Sequence, residues 1–116
     1  MVLVVAISAG CSLLGRSRPI VVEGGDSQRG KDTIGRYGCG SCHTIQGISG
    51  ARGRVGPPLT GIGERAVVGG VLPNNPENMI RWIQNPHAVD DKAAMPNLGI
   101  SRREAADIAS YLYESK

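Results

Sequence analysis

The sequence predicts a small all-α domain, on three observations. Ser101-x-x-Glu104 is a capping box, and Ala105, Ile108, Ala109 and Leu112 follow it at helical spacing. Asn75-Pro76-Glu77 places a good N-cap, a proline suited to the first helical position and an acid at the positive end of the helix dipole. Behind that start, Met79, Ile80 and Ile83 fall on one helical side. The third observation is size: 116 residues make one domain, and Trp 1, Tyr 3 and Phe 0 leave it a thin apolar filling. Cores this slight usually need a staple such as disulfides, a metal or a cofactor.

Composition also excludes several classes. Gly 17 and Pro 7 are about a fifth of the chain, below the roughly 25–30% of low-complexity disorder. A disordered tail, a coiled coil and a multidomain enzyme are therefore set aside. Thirteen Lys+Arg against 10 Asp+Glu give +3, and the basic residues are spread along the chain. Without a basic stripe or stacking aromatics, no nucleic-acid partner is expected, only a mixed solvated surface.

The chain begins with MVLVVAISAGCSLLG, apolar or small from Met1 to Gly15, and then turns abruptly to Arg16-Ser17-Arg18-Pro19. A membrane span needs about 20 apolar residues, so this run has the length of a signal-peptide apolar region. Ser8-Ala9-Gly10-Cys11 resembles the bacterial lipoprotein signal, in which small residues precede a cysteine that becomes lipidated and amino-terminal. Three fates stay open: a lipidated Cys11, ordinary cleavage near Ala9 or Gly10, and an uncleaved anchor. Each places the remainder outside the cytoplasm, on the periplasmic side of a bacterial membrane. Arg16 to Asp26, with paired Gly24-Gly25, reads as a tether. The expected division is residues 1–25 as leader or anchor plus tether, and residues 26–116 as the folded domain.

Asp26 to Tyr37 is a weak helix by pattern, since Gly30 and Gly35 oppose it. Cys39-Gly40-Ser41-Cys42-His43 comes next and carries the strongest chemical signal in the chain. C-x-x-C-H is the c-type haem attachment pattern. Each thiol can add to one haem vinyl group, the two intervening residues span the gap between vinyls, and the following histidine falls beneath the iron. A redox dithiol does not require the adjacent histidine. A structural zinc site needs about four ligands, and beyond the motif only Cys11 and His87 remain. The covalent haem also accounts for a chain without Phe, because it is itself a large apolar body.

Gly47 to Gly70 holds eight glycines and no helical period. Donors for a sixth iron ligand are Met79, Met95 and His87. Met79 belongs to the helical side just described and reads as core. Pro86 ends that helix, and His87 behind it, among polar neighbours, reads as solvated. Met95 lies in a loop by composition, Asp90 to Gly99, and Pro96 pushes it towards extended geometry. It has no helical face to fill, and it follows His43 by 52 residues, enough chain to reach round the ring.

From Gly30-Lys31 through Tyr37-Gly38, CGSCH, Gly56-Pro57-Pro58-Leu59, Arg65, Trp82, Met95-Pro96 and Tyr111-Leu112, the chain resembles a class I, single-haem cytochrome c. That resemblance implies three to four helices wrapped around one covalently attached haem, with the first and last helices crossing and Gly30 permitting their approach. It implies thioethers at Cys39 and Cys42, with His43 and Met95 as axial ligands, the pairing that raises haem potential. It implies that the Pro57 carbonyl accepts from the ligand histidine, against a proline that merely stiffens a turn. It places Arg65 near a haem propionate, against a charge solvated beside Glu64, and gives Trp82 an indole bond to a propionate. Tyr111 would lie against the first helix or the haem. With three Lys in the chain, a lysine docking ring is not carried over.

The function expected is single-electron transfer among membrane-associated respiratory partners, as a free shuttle or as the cytochrome subunit of a larger oxidoreductase, with no catalytic residue of its own. Cys11 lipid or the apolar segment would hold it at the membrane. The competing class is a haem with an open sixth site, a gas sensor or a peroxidase-like enzyme, for which His87 would be the available distal group.

Overall fold

Asp26 opens the first helix by accepting the Arg29 amide on its carboxylate at 2.8 Å. This helix, α1 (Ser27–Tyr37), closes at Gly38, whose left-handed backbone (φ 71°) returns its N–H to Gly35 and Ile34. The computed structural model describes residues 18–116, so the apolar leader and Cys11 lie outside the described residues. The other helices are α2 (Pro76–Gln84), α3 (Pro86–Val89) and α4 (Arg102–Glu114). Asn75 caps α2 through the Asn78 amide, and both halves of the Ser101–Glu104 box form at the start of α4. Pro86 does not simply end a helix. The first segment stops at Gln84, and Asn85 caps a new four-residue helix with Pro86 in its first turn. Proline is compatible with both roles, because the first helical N–H has no intrahelical partner.

The long connection from α1 to α2 contains two 3₁₀ turns, Cys39–Ser41 and Ile62–Glu64, and a minimal antiparallel hairpin. Its strands are β1 (Val67–Val68) and β2 (Leu72–Pro73), with Val67 opposite Pro73 and Val68 opposite Leu72. An isolated bridge also joins Thr44 to Arg52.

The terminal helices cross at Gly30. A Cβ there would run into the Asp107 carbonyl, so only glycine lets the two backbones meet. Ile34 from α1 and Ala105, Ile108, Ala109 and Leu112 from α4 are buried around this crossing, joined by Met79, Ile80 and Ile83 of α2. Val22, which composition assigns to the tether, is buried in the same core.

Polar contacts hold the crossing from its edge. Asp107, buried in α4, receives Arg29 Nε at 3.0 Å, Arg29 Nη2 at 2.9 Å and the Asp26 amide at 2.8 Å. Tyr37 donates its hydroxyl to Glu104 at 2.8 Å. Tyr111 packs against the core, and its hydroxyl donates at 2.6 Å to the Gln46 carbonyl, just beyond the cysteine motif.

Candidate haem-binding site

The cysteine motif is one tight turn hung from the end of α1. Cys42 and His43 both return their amides to the Cys39 carbonyl, at 3.2 and 3.0 Å, so the two sulfurs and the imidazole leave a single turn of chain. The glycine-rich loop then folds back over it. Gly53 donates to the Gly40 carbonyl at 3.0 Å, and Gly56 to the Cys42 carbonyl at 2.8 Å.

That return brings Pro57 to the histidine. His43 Nδ1 lies 2.7 Å from the Pro57 carbonyl oxygen. A carbonyl can only accept, so Nδ1 is the donor, and in the neutral ring Nε2 keeps its lone pair. A Cβ at Gly56 would collide with the His43 ring, so the residue before Pro57 must be glycine for this approach.

Cys39 and His43 line an apolar cleft that also receives Leu59, Met79, Trp82 and Met95. Ile34, Ile108 and Leu112 carry the crossing of α1 and α4 into its wall. Burial pushes the Cys39 thiol above its ordinary pKa. Met79 is 1% exposed and belongs to the core, whereas Met95 is half-buried on a loop. Trp82, half-buried on α2, lies under Gly69 of the hairpin turn, where a Cβ would strike the indole.

Arg65 is exposed, and its guanidinium donates to the Pro58 carbonyl, next to the residue that orients His43. Its own carbonyl is held by Asn74 Nδ2 at 2.8 Å, which also donates to the Ile62 carbonyl at 2.8 Å. The Asn74 oxygen accepts from Tyr113 at 2.6 Å. Asn74 therefore clasps the turn before the hairpin to α4, a role with no signal in the sequence. His87 is exposed and does not line the cleft. The structure thus brings Cys39, His43, Trp82 and Met95 to one cleft, with Cys42 in the same turn as Cys39, Pro57 bonded to His43 and Arg65 bonded to the residue after Pro57.

These residues fit a haem. The donors are two thiols and an oriented imidazole on one turn, facing an apolar cleft with a thioether at its edge. Thiols, an imidazole and a thioether are the donor types that hold a covalent haem and its iron.

Fold and site together define a small helical haem protein of the electron-transfer class. Residues 27–116 match the family described as Cytochrome c, and the chain belongs to that family. It is also similar to cytochrome c oxidase subunit 2 of Alkalihalophilus pseudofirmus, 31% identical over 91 residues. That similarity covers 78% of this chain and 26% of the relative, so the chain spans about a quarter of that protein's length. No solved structure matches it.

Proposed function

We propose that the domain passes single electrons through one haem joined by thioethers to Cys39 and Cys42, with His43 and Met95 as its axial ligands. The observation that carries this reading is the bond from His43 Nδ1 to the Pro57 carbonyl, in a cleft that Met95 also lines. When bound, the haem supplies a reversible one-electron couple. The protein's part is to hold it. The Nδ1–H bond fixes the ring and raises the basicity of Nε2. The Met95 thioether is soft and neutral and favours the less charged, reduced iron. Apolar side chains such as Ile34, Leu59 and Leu112 keep water from the cleft. With His43 and Met95 both given to the iron, the chain would leave no place for a substrate, which favours an electron carrier. Trp82 and Arg65 are assigned to the propionate side, where a guanidinium would neutralise a carboxylate.

The relative named as an oxidase subunit supports a respiratory setting. The domain would exchange electrons with an oxidase or another complex of that kind, as shuttle or as subunit. Cys11 would carry a lipid and hold the haem at the outer face of a bacterial membrane. Mass spectrometry of membrane-extracted protein tests that assignment, and an intact, unmodified leader would sink it.

The ligand set is tested by the ferrous spectrum before and after carbon monoxide. Wild type is expected to stay unchanged and Met95→Ala to bind the gas. Ready binding by wild type would replace the carrier reading with sensing or catalysis.

A further inference from the structure

Met95 lies on a stretch between Asp90 and Ile100 that contains neither helix nor strand. Two of its hydrogen bonds are local: the Lys92 amide to the Asp90 carboxylate and the Ala93 amide to the Asp90 carbonyl, both 3.0 Å. At its far end Gln84 Nε2 donates to the Ile100 carbonyl at 3.2 Å. The bonds that flank the methionine itself both come from His87. Its Nε2 lies 3.0 Å from the Ala93 carbonyl oxygen, two residues before Met95. Its backbone N–H donates at 3.4 Å to Asn97 Oδ1, two residues after.

The histidine is well placed to bear this load. A carbonyl only accepts, so Nε2 is the protonated ring nitrogen. His87 sits in the first turn of α3, where Asn85 caps the Ala88 amide at 3.1 Å and the Asp90 amide closes on the Pro86 carbonyl at 2.9 Å. Pro86 beside it is among the most deeply buried residues of the domain. The ring therefore projects from an anchored helix onto a loop that has few other ties.

We propose that His87 is a positioning residue for Met95: it straps the loop on both sides of the methionine and so keeps the thioether in the cleft. The proposal rests on the reading of Met95 as axial ligand. His87 never touches the iron. It acts by raising the cost of swinging the loop outward, and one lost hydrogen bond should shift that equilibrium about fivefold.

The test uses the haem-loaded full chain as wild type, His87→Phe, His87→Gln and Met95→Ala. One readout is the affinity of the ferric protein for added imidazole, which competes for the position of Met95. The other is amide hydrogen exchange at Ala94, Met95 and Leu98, which requires no iron ligation. His87→Phe keeps a ring and the backbone N–H but loses the ring donor to Ala93, and is expected to bind imidazole about fivefold more tightly and to exchange faster at those amides. His87→Gln keeps an N–H donor and is expected to stay near wild type. Should His87→Phe fail to load haem, His87→Ala takes its place. Imidazole affinity and exchange in His87→Phe that match wild type would overturn the proposal, as would His87→Gln behaving like His87→Phe. If Met95→Ala too leaves imidazole affinity unchanged, the ligand assignment itself is wrong and the strap falls with it. If Met95→Ala alone opens the site, only the strap is wrong.

Discussion

His43 and Pro57 are joined by a 2.7 Å bond from imidazole Nδ1 to a backbone carbonyl, and Gly56 is what permits it. Because the acceptor is backbone, replacing Pro57 leaves the oxygen in place, whereas a methyl group at residue 56 meets the ring. Gly56→Ala should therefore do more harm than Pro57→Ala. Overpacking of this kind costs about 1–3 kcal/mol, and here the yielding atoms are those of the candidate iron ligand. Haem content and the ferrous absorption spectrum are the measurements. A Gly56→Ala protein with wild-type haem content and spectrum would refute the idea that this contact sets the imidazole.

Two glycines of α1 should answer oppositely to the same change. Gly30 abuts the Asp107 carbonyl at the helix crossing, while at Gly35 a Cβ would meet nothing within 4 Å. Gly30→Ala must push α1 and α4 apart, and a loss of about 1–3 kcal/mol is expected. Gly35→Ala relieves an exposed helical glycine and should gain roughly 0.5–1 kcal/mol. Thermal unfolding would resolve both, since 1 kcal/mol moves the midpoint of a domain this size by about 4–8 °C. Shifts of the same sign would show that packing at the crossing is not what requires Gly30.

This contrast marks where the sequence was readable. The helices α2 and α4 announce themselves through residues only a few positions apart: Asn75 and Asn78, Ser101 and Glu104. The haem motif was legible for a similar reason, because Cys39, Cys42 and His43 form one turn. By contrast α1 looked weak, since its glycines cost local stability and its compensations are remote; Arg29 meets Asp107 across 78 residues. Asn85-Pro86 repeats the Asn-Pro start of α2, but four residues are too few to show a helical period, and no local rule could show that α3 brings His87 onto the loop of Met95. Arg65 is instructive in another way: resemblance assigns it a propionate, and the fold gives its guanidinium the Pro58 carbonyl.

Asn74 and Tyr113 should prove energetically coupled. The Tyr113 hydroxyl donates to the Asn74 oxygen at 2.6 Å, and burial pushes its pKa up to about 12. The same amide holds the Ile62 and Arg65 carbonyls through its nitrogen. Tyr113→Phe removes one bond, and Asn74→Ala removes all three. Each is expected to cost about 1–2 kcal/mol, and the double variant should cost less than the sum by about 0.5 kcal/mol or more. Strict additivity in denaturant titrations would mean that the two side chains act independently.

Asp107 predicts how the fold responds to acid. Its burial would raise the pKa, but the Arg29 bonds and the Asp26 amide outweigh that effect and hold the carboxyl below its ordinary value. The unfolded chain therefore takes up the proton first as pH falls, and the stabilisation is present above a pH of about 4. It is lost as pH drops through the lower, folded-state pKa. Arg29 is about half exposed, so solvent screening tempers the pair. Asp107→Asn is expected to lose about 1–3 kcal/mol near neutral pH, with the deficit shrinking in acid once the pH has fallen through the lowered folded-state pKa and wild type has surrendered the same charge. Glu77 supplies the comparison, because its pair with Arg102 at 2.7 Å joins side chains 61% and 62% exposed. Such surface pairs contribute little, so Glu77→Gln should leave stability nearly unchanged at either pH. Urea titrations of the three proteins at both pH values decide the matter. An Asp107→Asn deficit as large in acid as at neutrality would place the role of this residue in shape rather than in charge.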